Sequence, residues 1–139
     1  MKSGFTEFQQ QRMLERMFGN VAYSEPTVIY ISTSTSTINS DGSGGTEPTD
    51  PSYARVAIDN NISNWEDLSS GAGRQNAVPI EWAEATTNWG TVTYVAGYDA
   101  LTGGNMLWFS ELTIPKPVGI NDVLRIKAGE AQIRIQITT

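Results

Sequence analysis

Apolar, aromatic and β-branched positions are most concentrated in the stretch Trp89–Leu112, which predicts a long β-hairpin. Residues Thr91–Tyr98 and Asn105–Leu112 are both rich in side chains that pack well on a pleated sheet. Between them lies Asp99–Gly104, whose two glycines can adopt the positive φ angles that a tight reversal needs. Because two of the four tryptophans fall in this stretch, we expect it to supply a large part of the core.

Three shorter strand patterns precede this hairpin. Thr27–Ser32 contains a continuous apolar run, as expected for a strand buried on both faces. Tyr53–Ile58 alternates between two faces. Ala77–Trp82 contains Pro79, which predicts a sheet edge or a bulge because proline donates no ladder hydrogen bond.

Two further strands are predicted after the hairpin, beyond a break at Pro115–Pro117. They are Asp122–Ala128 and Ala131–Thr138, and Gly129–Glu130 between them suits a type II′ hairpin turn. The second strand alternates cleanly. Its inward positions are Ala131, Ile133, Ile135 and Ile137.

One strong helical pattern covers residues 5–18, which are rich in Gln, Arg, Glu, Met and Leu. Thr6 with Gln9 fits a capping box, although Ser3 could cap the helix instead, and Gly19–Asn20 supplies the stop. The apolar residues of this segment cover two arcs rather than one stripe. The helix therefore either packs against its own sheet or uses one arc to meet another chain, and we favour the second interpretation.

Two stretches are loop-like. Thr33–Asp50 is polar and long for a compact domain, which is typical of functional or flexible loops. Residues 59–76 predict another loop, anchored by Trp65 and Leu68. The first loop has spacings that resemble a calcium-binding EF-hand loop, although no helix flanks it, so a flexible surface loop is the expectation. The residues at those spacings are Asn39, Asp41, Ser43, Gly44 and Asp50.

These elements predict a mainly β protein with one N-terminal α-helix followed by about seven short strands. The natural packing of such strands is an antiparallel two-sheet β-sandwich, which we expect to be jelly-roll-like. At 139 residues, positions 1–139 are expected to form a single domain with one core.

The amino-acid composition restricts the functions that this protein can have. The chain has no cysteine and no histidine, which excludes thiol nucleophiles, disulfides and imidazole general bases. The formal net charge of −6 argues against binding to nucleic acid or to an anionic membrane. Glu81 and Glu84 are the only carboxylates that suggest a glycosidase-like pair, and solvated side chains are the simpler explanation. We therefore expect no enzyme activity, no cofactor and no metal.

Several motifs resemble the small virion proteins of tailed bacteriophages known as tail fibre proteins. The most specific are Tyr53-Ala-Arg, Trp89-Gly-Thr-Val-Thr, the turn Asp99–Asn105 and the closing segment around Ala128-Gly129. The resemblance runs from about Thr6 to Ile137. It implies a non-enzymatic structural protein of the particle that is present in multiple copies.

The same resemblance implies a virion location after assembly in the bacterial host cytoplasm. Two positions on the particle are open, namely capsid cement or decoration and a neck, tail or fibre-base component. The expected partners are other virion proteins, such as major capsid or tail proteins, and other copies of the chain. Because small structural modules usually assemble with closed symmetry, we hypothesise a trimer.

A carbohydrate-binding, host-recognition module is the alternative function. It would need exposed aromatic rings for stacking on sugars, and we expect core packing instead for the candidates Trp65, Trp82, Tyr98 and Trp108. Under the structural interpretation, two partner-contact surfaces are predicted: the N-terminal helix, and the long loop 34–50, which we expect to order only against a neighbour. The predicted interface residues are Phe8, Met13, Leu14, Met17, Phe18, Thr35 and Ile38.

Overall fold

The computed structural model describes residues 2–69 and 71–135, which form a mainly β fold with one helix. The helix α1 spans Glu7–Gly19. The strands are β1 (Ser3–Phe5), β2 (Val28–Ser34), β3 (Val56–Asp59), β4 (Trp65–Asp67), β5 (Gly73–Asn76), β6 (Ile80–Glu81), β7 (Gly90–Tyr98), β8 (Met106–Val118), β9 (Arg125–Ile126) and β10 (Gln132–Arg134).

The strands of the described residues pair antiparallel in three sheets. The largest has the order β1-β8-β7-β2-β3, and the smaller ones are β10-β5-β4 and β6-β9. Strands β7 and β8 form the predicted central hairpin, with Val95 opposite Ser110. The predicted chain break at Pro115–Pro117 is wrong, because β8 continues to Val118. Proline is tolerated there because β1 pairs only with residues 108–110, which leaves this part of β8 at the sheet edge.

The main core lies between the five-stranded sheet and the two smaller sheets. Ile31 and Val95 of the large sheet share one buried cluster with Ile80, Ile126 and Ile133 of the smaller sheets. The shared cluster means that the small sheets together form a second layer over one face of the large sheet. This packing confirms the mainly β class and agrees with the predicted sandwich, with the second layer divided into two parts.

The opposite face of the hairpin carries a smaller apolar cluster. Tyr94, Ala96 and Phe109 point to this face, because side chains alternate along a strand. The long loop 35–50 covers them with one apolar residue, Ile38, which is 1% exposed.

Two predictions about the smaller strands are wrong. Residues 59–76 are not a continuous loop, because they contain β4 and β5, although the predicted anchors Trp65 and Leu68 are buried. Gly129–Glu130 does not join a hairpin, because β9 pairs with β6 and β10 pairs with β5. The turn instead has Glu130 N donating to Lys127 O at 3.1 Å, with Gly129 at φ 86°.

The last strand is shorter than predicted within the described residues. Ala131 and Ile133 face the core as expected, but Ile135 is 65% exposed, contrary to its predicted inward position. The pairing with β5 ends at Arg134 opposite Gly73, so the chain has left the covered layer by Ile135. The remaining prediction for this strand, at Ile137, lies outside the described residues.

Candidate partner-binding surface

The N-terminal helix has the cap and the stop that the sequence predicts, but it begins at Glu7 and not at residue 5, because Phe5 lies in β1 and pairs with Trp108. Thr6 is the N-cap in extended conformation, and its hydroxyl accepts a hydrogen bond from Gln9 N at 3.3 Å. The same hydroxyl donates to Met106 O at 2.6 Å, so the cap also fastens the helix to β8. Asn20 ends the helix in the left-handed conformation, at φ 54°, which asparagine adopts more easily than most residues.

The helix makes few contacts with the rest of the protein. Among its residues, all of which the structure describes, only Gln9 is buried. The Gln9 amide donates to the Tyr23 hydroxyl at 2.9 Å, and the Arg12 guanidinium lies 4.1 Å from the Tyr23 ring centre. A polar residue therefore occupies the position that a self-packed amphipathic helix would give to an apolar one.

The apolar side chains of the helix lie instead on its outer side. Leu14, Met17 and Phe18 occupy positions i, i+3 and i+4, which share one face, and they are 51%, 73% and 80% exposed. We call these three residues the helix face. Isolated exposed apolar residues are ordinary on protein surfaces, but three adjacent ones on one helix form an unpartnered patch.

The other predicted contact residues of the helix are less exposed. Phe8 is 38% exposed, and the Arg12 guanidinium lies 5.1 Å from its ring centre. Met13 is half-buried on the side of the helix that carries Gln9. The structure therefore concentrates the predicted surface in the last two turns.

The long loop is held by its own chain. Thr35 is half-buried, and its backbone N–H donates to Thr46 O at 3.1 Å. Ile38 is buried in the smaller cluster, and its carbonyl accepts from Lys2 Nζ at 2.7 Å. Ile38 is therefore left out of the partner-binding surface. The contacts also remove the reason for expecting this loop to order only against a neighbour.

Asp50 fixes the end of the loop. Its carboxylate accepts hydrogen bonds from Thr86 N at 2.7 Å, Thr87 N at 3.1 Å and Trp89 Nε1 at 2.8 Å. Ser52 N and the Thr86 hydroxyl donate to its other oxygen. Burial alone would raise the pKa of Asp50, but these hydrogen bonds outweigh it and hold the pKa far below its usual range. This anchoring role was missed from the sequence.

A second buried charge supports the tip of the central hairpin. The Arg55 guanidinium pairs with both Glu47 oxygens, at 2.7 and 3.2 Å, and stacks on Tyr98 at 3.6 Å. Its Nη1 donates to the carbonyls of Ala100 and Gly103, both at 2.8 Å. One side chain thus joins the long loop to the turn 99–104. The available sequence signal was that Arg55 shares a predicted strand face with Tyr53.

The side chains considered for catalysis or metal binding do not come together in the part of the chain that the structure describes. Glu81 and Glu84 are both exposed. Residues 2–69 and 71–135 contain no cluster of three or more Asp or Glu side chains placed to hold a metal ion. In the calcium-like loop, the Asp41 carboxylate accepts from Ser43 N at 2.9 Å, while Asp50 is occupied as described above. Within residues 2–69 and 71–135, helix α1 is too short and too polar to cross a membrane.

The aromatic residues considered for sugar stacking are mainly core residues. Trp65, Trp82 and Trp108 are 5%, 2% and 5% exposed. Trp65 and Trp108 pack edge to face, with ring centres 5.6 Å apart. Tyr98 is half-buried beneath Arg55. The described residues therefore present none of the three tryptophans as a stacking platform.

Fold and surface together define a small mainly β module whose most conspicuous exposed feature is an apolar helix face. A family model described as Podophage GP4 fiber I protein gp80 matches residues 4–134, and the chain belongs to this family of phage tail fibre proteins. The resemblance found in the sequence is thereby confirmed. Family membership implies a structural component of the virion. A comparison with curated proteins found no match.

Proposed function

We propose that this protein is a non-enzymatic structural module of the tail fibre or fibre base of a phage particle, held there as an oligomer through its helix face. The observation that supports the proposal is the exposure of Leu14, Met17 and Phe18 on a helix whose only buried residue is Gln9. Exposed apolar patches of this kind mark protein–protein contacts. The fibre family favours the tail over capsid decoration as the location.

The oligomer proposed is a trimer. Closed symmetry lets a small module bury the same surface on every copy, and a lone domain would leave the helix face in water. The acidic net charge of −6 supports contacts with proteins rather than with nucleic acid. Carbohydrate binding has no comparable observation in its favour, because Trp65, Trp82 and Trp108 are buried.

The direct test is incorporation into particles. Phage lacking the gene are complemented with wild-type protein or with the triple variant Leu14→Ser, Met17→Ser and Phe18→Ser, and the protein copies in purified particles are counted by quantitative mass spectrometry. Wild-type protein is expected in several copies per particle. The triple variant is expected to fall at least about tenfold, because truncating a buried interface anchor costs about 2 kcal/mol or more.

A matched variant controls for the loss of surface hydrophobicity. Ile114, Ile120 and Val123 are 69%, 61% and 49% exposed, which is close to the exposure of the helix face. Their replacement by serine is expected to leave the copy number unchanged. Equal copy numbers for the helix-face variant and wild type would contradict the proposed contact, and absence of the wild-type protein from particles would contradict the proposed function.

A further inference from the structure

The N-terminal arm, defined as residues 2–19 with β1 and α1, is fastened to the sandwich close to its start. Strand β1 lies at the edge of the large sheet and pairs with β8 over three positions. Before this pairing, Glu111 N donates a hydrogen bond to Lys2 O at 2.7 Å. After it, Thr6 N donates to Leu107 O at 3.0 Å. These contacts form the join between the arm and β8.

Past the join, few contacts attach the arm to the sandwich. Phe5 is partly buried against the main core, but Gln9 is the only buried residue of the helix that follows. The next segment, residues 20–27, is described in full and contains no helix or strand, and most of its residues are exposed. The arm is therefore attached at one end and is followed by a connection without secondary structure.

The long loop 35–50 crosses this join, and we call it the strap. Its Ile38 carbonyl accepts a hydrogen bond from Lys2 Nζ at 2.7 Å. At Gly42 the strap passes so close to Thr6 that an added Cβ would lie 2.8 Å from the Thr6 methyl carbon. Thr6 is 1% exposed beneath this crossing. Because Ile38 is itself buried in the smaller apolar cluster, the strap is fixed in place over the base of the arm.

We propose that the N-terminal arm opens as one unit while the sandwich stays folded, and that the strap holds it closed. Opening breaks the short edge pairing of β1 and releases few buried side chains, whereas global unfolding disrupts the central hairpin and the main core. Segments with few buried contacts open at a lower free energy than the whole fold. Because the arm carries the helix face, opening changes where Leu14, Met17 and Phe18 point without unfolding the domain.

Amide hydrogen exchange, followed by NMR on the purified protein, tests this opening. The reporters are the N–H groups of Thr6 and Glu111, which lie on opposite sides of the join, and the reference is Val95 in the centre of the large sheet. Thr6 and Glu111 are expected to be protected to similar degrees, and each at least about tenfold less than Val95. Protection of both equal to that of Val95 would overturn the proposal, because only global unfolding would then expose the join.

A core variant separates the two kinds of opening. Ile126 is 0% exposed on β9, and Ile126→Val removes one methyl group from the main core. This variant is expected to speed the exchange of Val95 about fivefold. Thr6 and Glu111 are expected to exchange at wild-type rates, because the arm opens without disturbing this core position. Equal acceleration of all three N–H groups would contradict a separate opening of the arm.

The role of the strap is tested at Lys2. Lys2→Met removes the ammonium that bonds to Ile38 O, and it is expected to speed the exchange of Thr6 and Glu111 about tenfold. Lys116→Met is the matched control, because the Lys116 ammonium pairs with Glu130 at 3.3 Å, away from the join. Its effect on the same two N–H groups is expected to stay within about twofold. Wild-type exchange of Thr6 and Glu111 in Lys2→Met would show that the strap does not hold the arm. These measurements use purified protein, so their outcome is separate from incorporation into particles.

Discussion

The carboxylate of Asp50 joins the end of the long loop to the start of the central hairpin. It accepts from two backbone N–H groups of the segment 86–87 and from the indole of Trp89. Trp89 in turn packs edge to face with Tyr53, at 5.4 Å between ring centres. One ionised group thus positions a loop, a turn and a core tryptophan.

This anchor predicts a dependence of stability on acid. The pKa of Asp50 in the folded chain lies below its value of 3.8 in the unfolded chain, so the unfolded state takes up the proton first. The stabilisation is therefore fully present above about pH 5 and is lost as the pH falls through 4 and below. Urea unfolding of Asp50→Asn is expected to show a lower midpoint at pH 7 and a flatter decline between pH 5 and 3 than wild type.

Asp59→Asn is the control for removal of one carboxylate, because Asp59 is exposed at the end of β3. Its urea midpoint at pH 7 is expected to stay close to that of wild type. If the stability of Asp50→Asn declines between pH 5 and 3 as steeply as that of wild type, other carboxylates cause the acid sensitivity.

Arg55 gives a second residue-scale prediction. Removing it leaves Glu47 partly buried without its partner and frees the carbonyls of Ala100 and Gly103. Arg55→Ala is expected to lower the free energy of unfolding by about 3 kcal/mol, as is typical for breaking a buried ion pair. Arg55→Lys is expected to recover only part of this, because an ammonium cannot reproduce the planar fork.

The exposed pair of Arg74 and Asp67 provides the comparison, since Asp67 is 86% exposed at its side chain. Arg74→Ala is expected to change the free energy of unfolding by less than about 1 kcal/mol. Similar losses for Arg55→Ala and Arg74→Ala in urea titrations would show that burial of the Arg55 pair is energetically unimportant.

Gly97 is required by the packing of Trp108 against the hairpin. A Cβ at position 97 would lie 2.3 Å from Trp108 Nε1, a distance that no relaxed structure tolerates. Gly97→Ala is expected to lower the free energy of unfolding by about 3 kcal/mol, at the upper end of overpacking costs. Gly19→Ala is the control, because its added carbon meets only Val21, at 3.6 Å. In urea unfolding, this variant is expected to be as stable as wild type or slightly more stable. A small effect of Gly97→Ala would mean that Trp108 can shift.

At the scale of elements, the helix is attached by its first turn and not by its exposed side. Thr6→Ala removes the N-cap and the hydrogen bond to Met106 O, and is expected to cost about 1–2 kcal/mol. Phe18→Ser changes a side chain that is 80% exposed and is expected to stay within about 0.5 kcal/mol of wild type. Urea unfolding separates the two cases. A large loss for Phe18→Ser would indicate that the helix packs on its own chain after all.

The elements with strong local patterns were predictable from the sequence. The central hairpin combines β-branched residues with a glycine turn, and the helix has both a cap at Thr6 and a stop at Asn20. In each case the local preference and the final packing agree. An element can be predicted without a structure when its local sequence preference agrees with its packing in the fold.

The missed strands lack a local pattern. Strand β5 reads Gly73-Arg74-Gln75-Asn76, which has no β-branched or aromatic residue, and it exists because its backbone pairs with both β4 and β10. The turn at Gly129 was assigned to a hairpin because its two flanking strands are adjacent in sequence. Both strands pair with other strands instead, and only the tertiary structure decides whether strands that are adjacent in sequence pair with each other.

The candidate surface was predictable in part for the same reason. The helical spacing places Leu14, Met17 and Phe18 on one arc, and the presence of a second apolar arc favoured an outward position for one of the two. Ile38 could not be placed, because a lone apolar residue in a polar loop fits a partner contact and an anchor equally well. The apolar face of the hairpin beneath it decides for the anchor.

At the scale of the molecule, the described residues combine a well-covered core with exposed apolar side chains, of which Leu14, Met17 and Phe18 share one face of the helix. The large sheet is covered on one face by the smaller sheets and on the other by the long loop. The family supports a structural role in the virion. The exposed helix face supports our proposal that the particle covers this surface and that the role lies in the fibre apparatus.

Gold labelling of intact particles with an antibody to this chain shows where on the virion the protein lies. We expect label confined to the tail, at the fibres or at their base. Label spread over the heads would contradict the fibre location and indicate capsid decoration. Absence of label from intact particles, with the antibody shown to recognise the folded protein, would contradict a structural role in the virion.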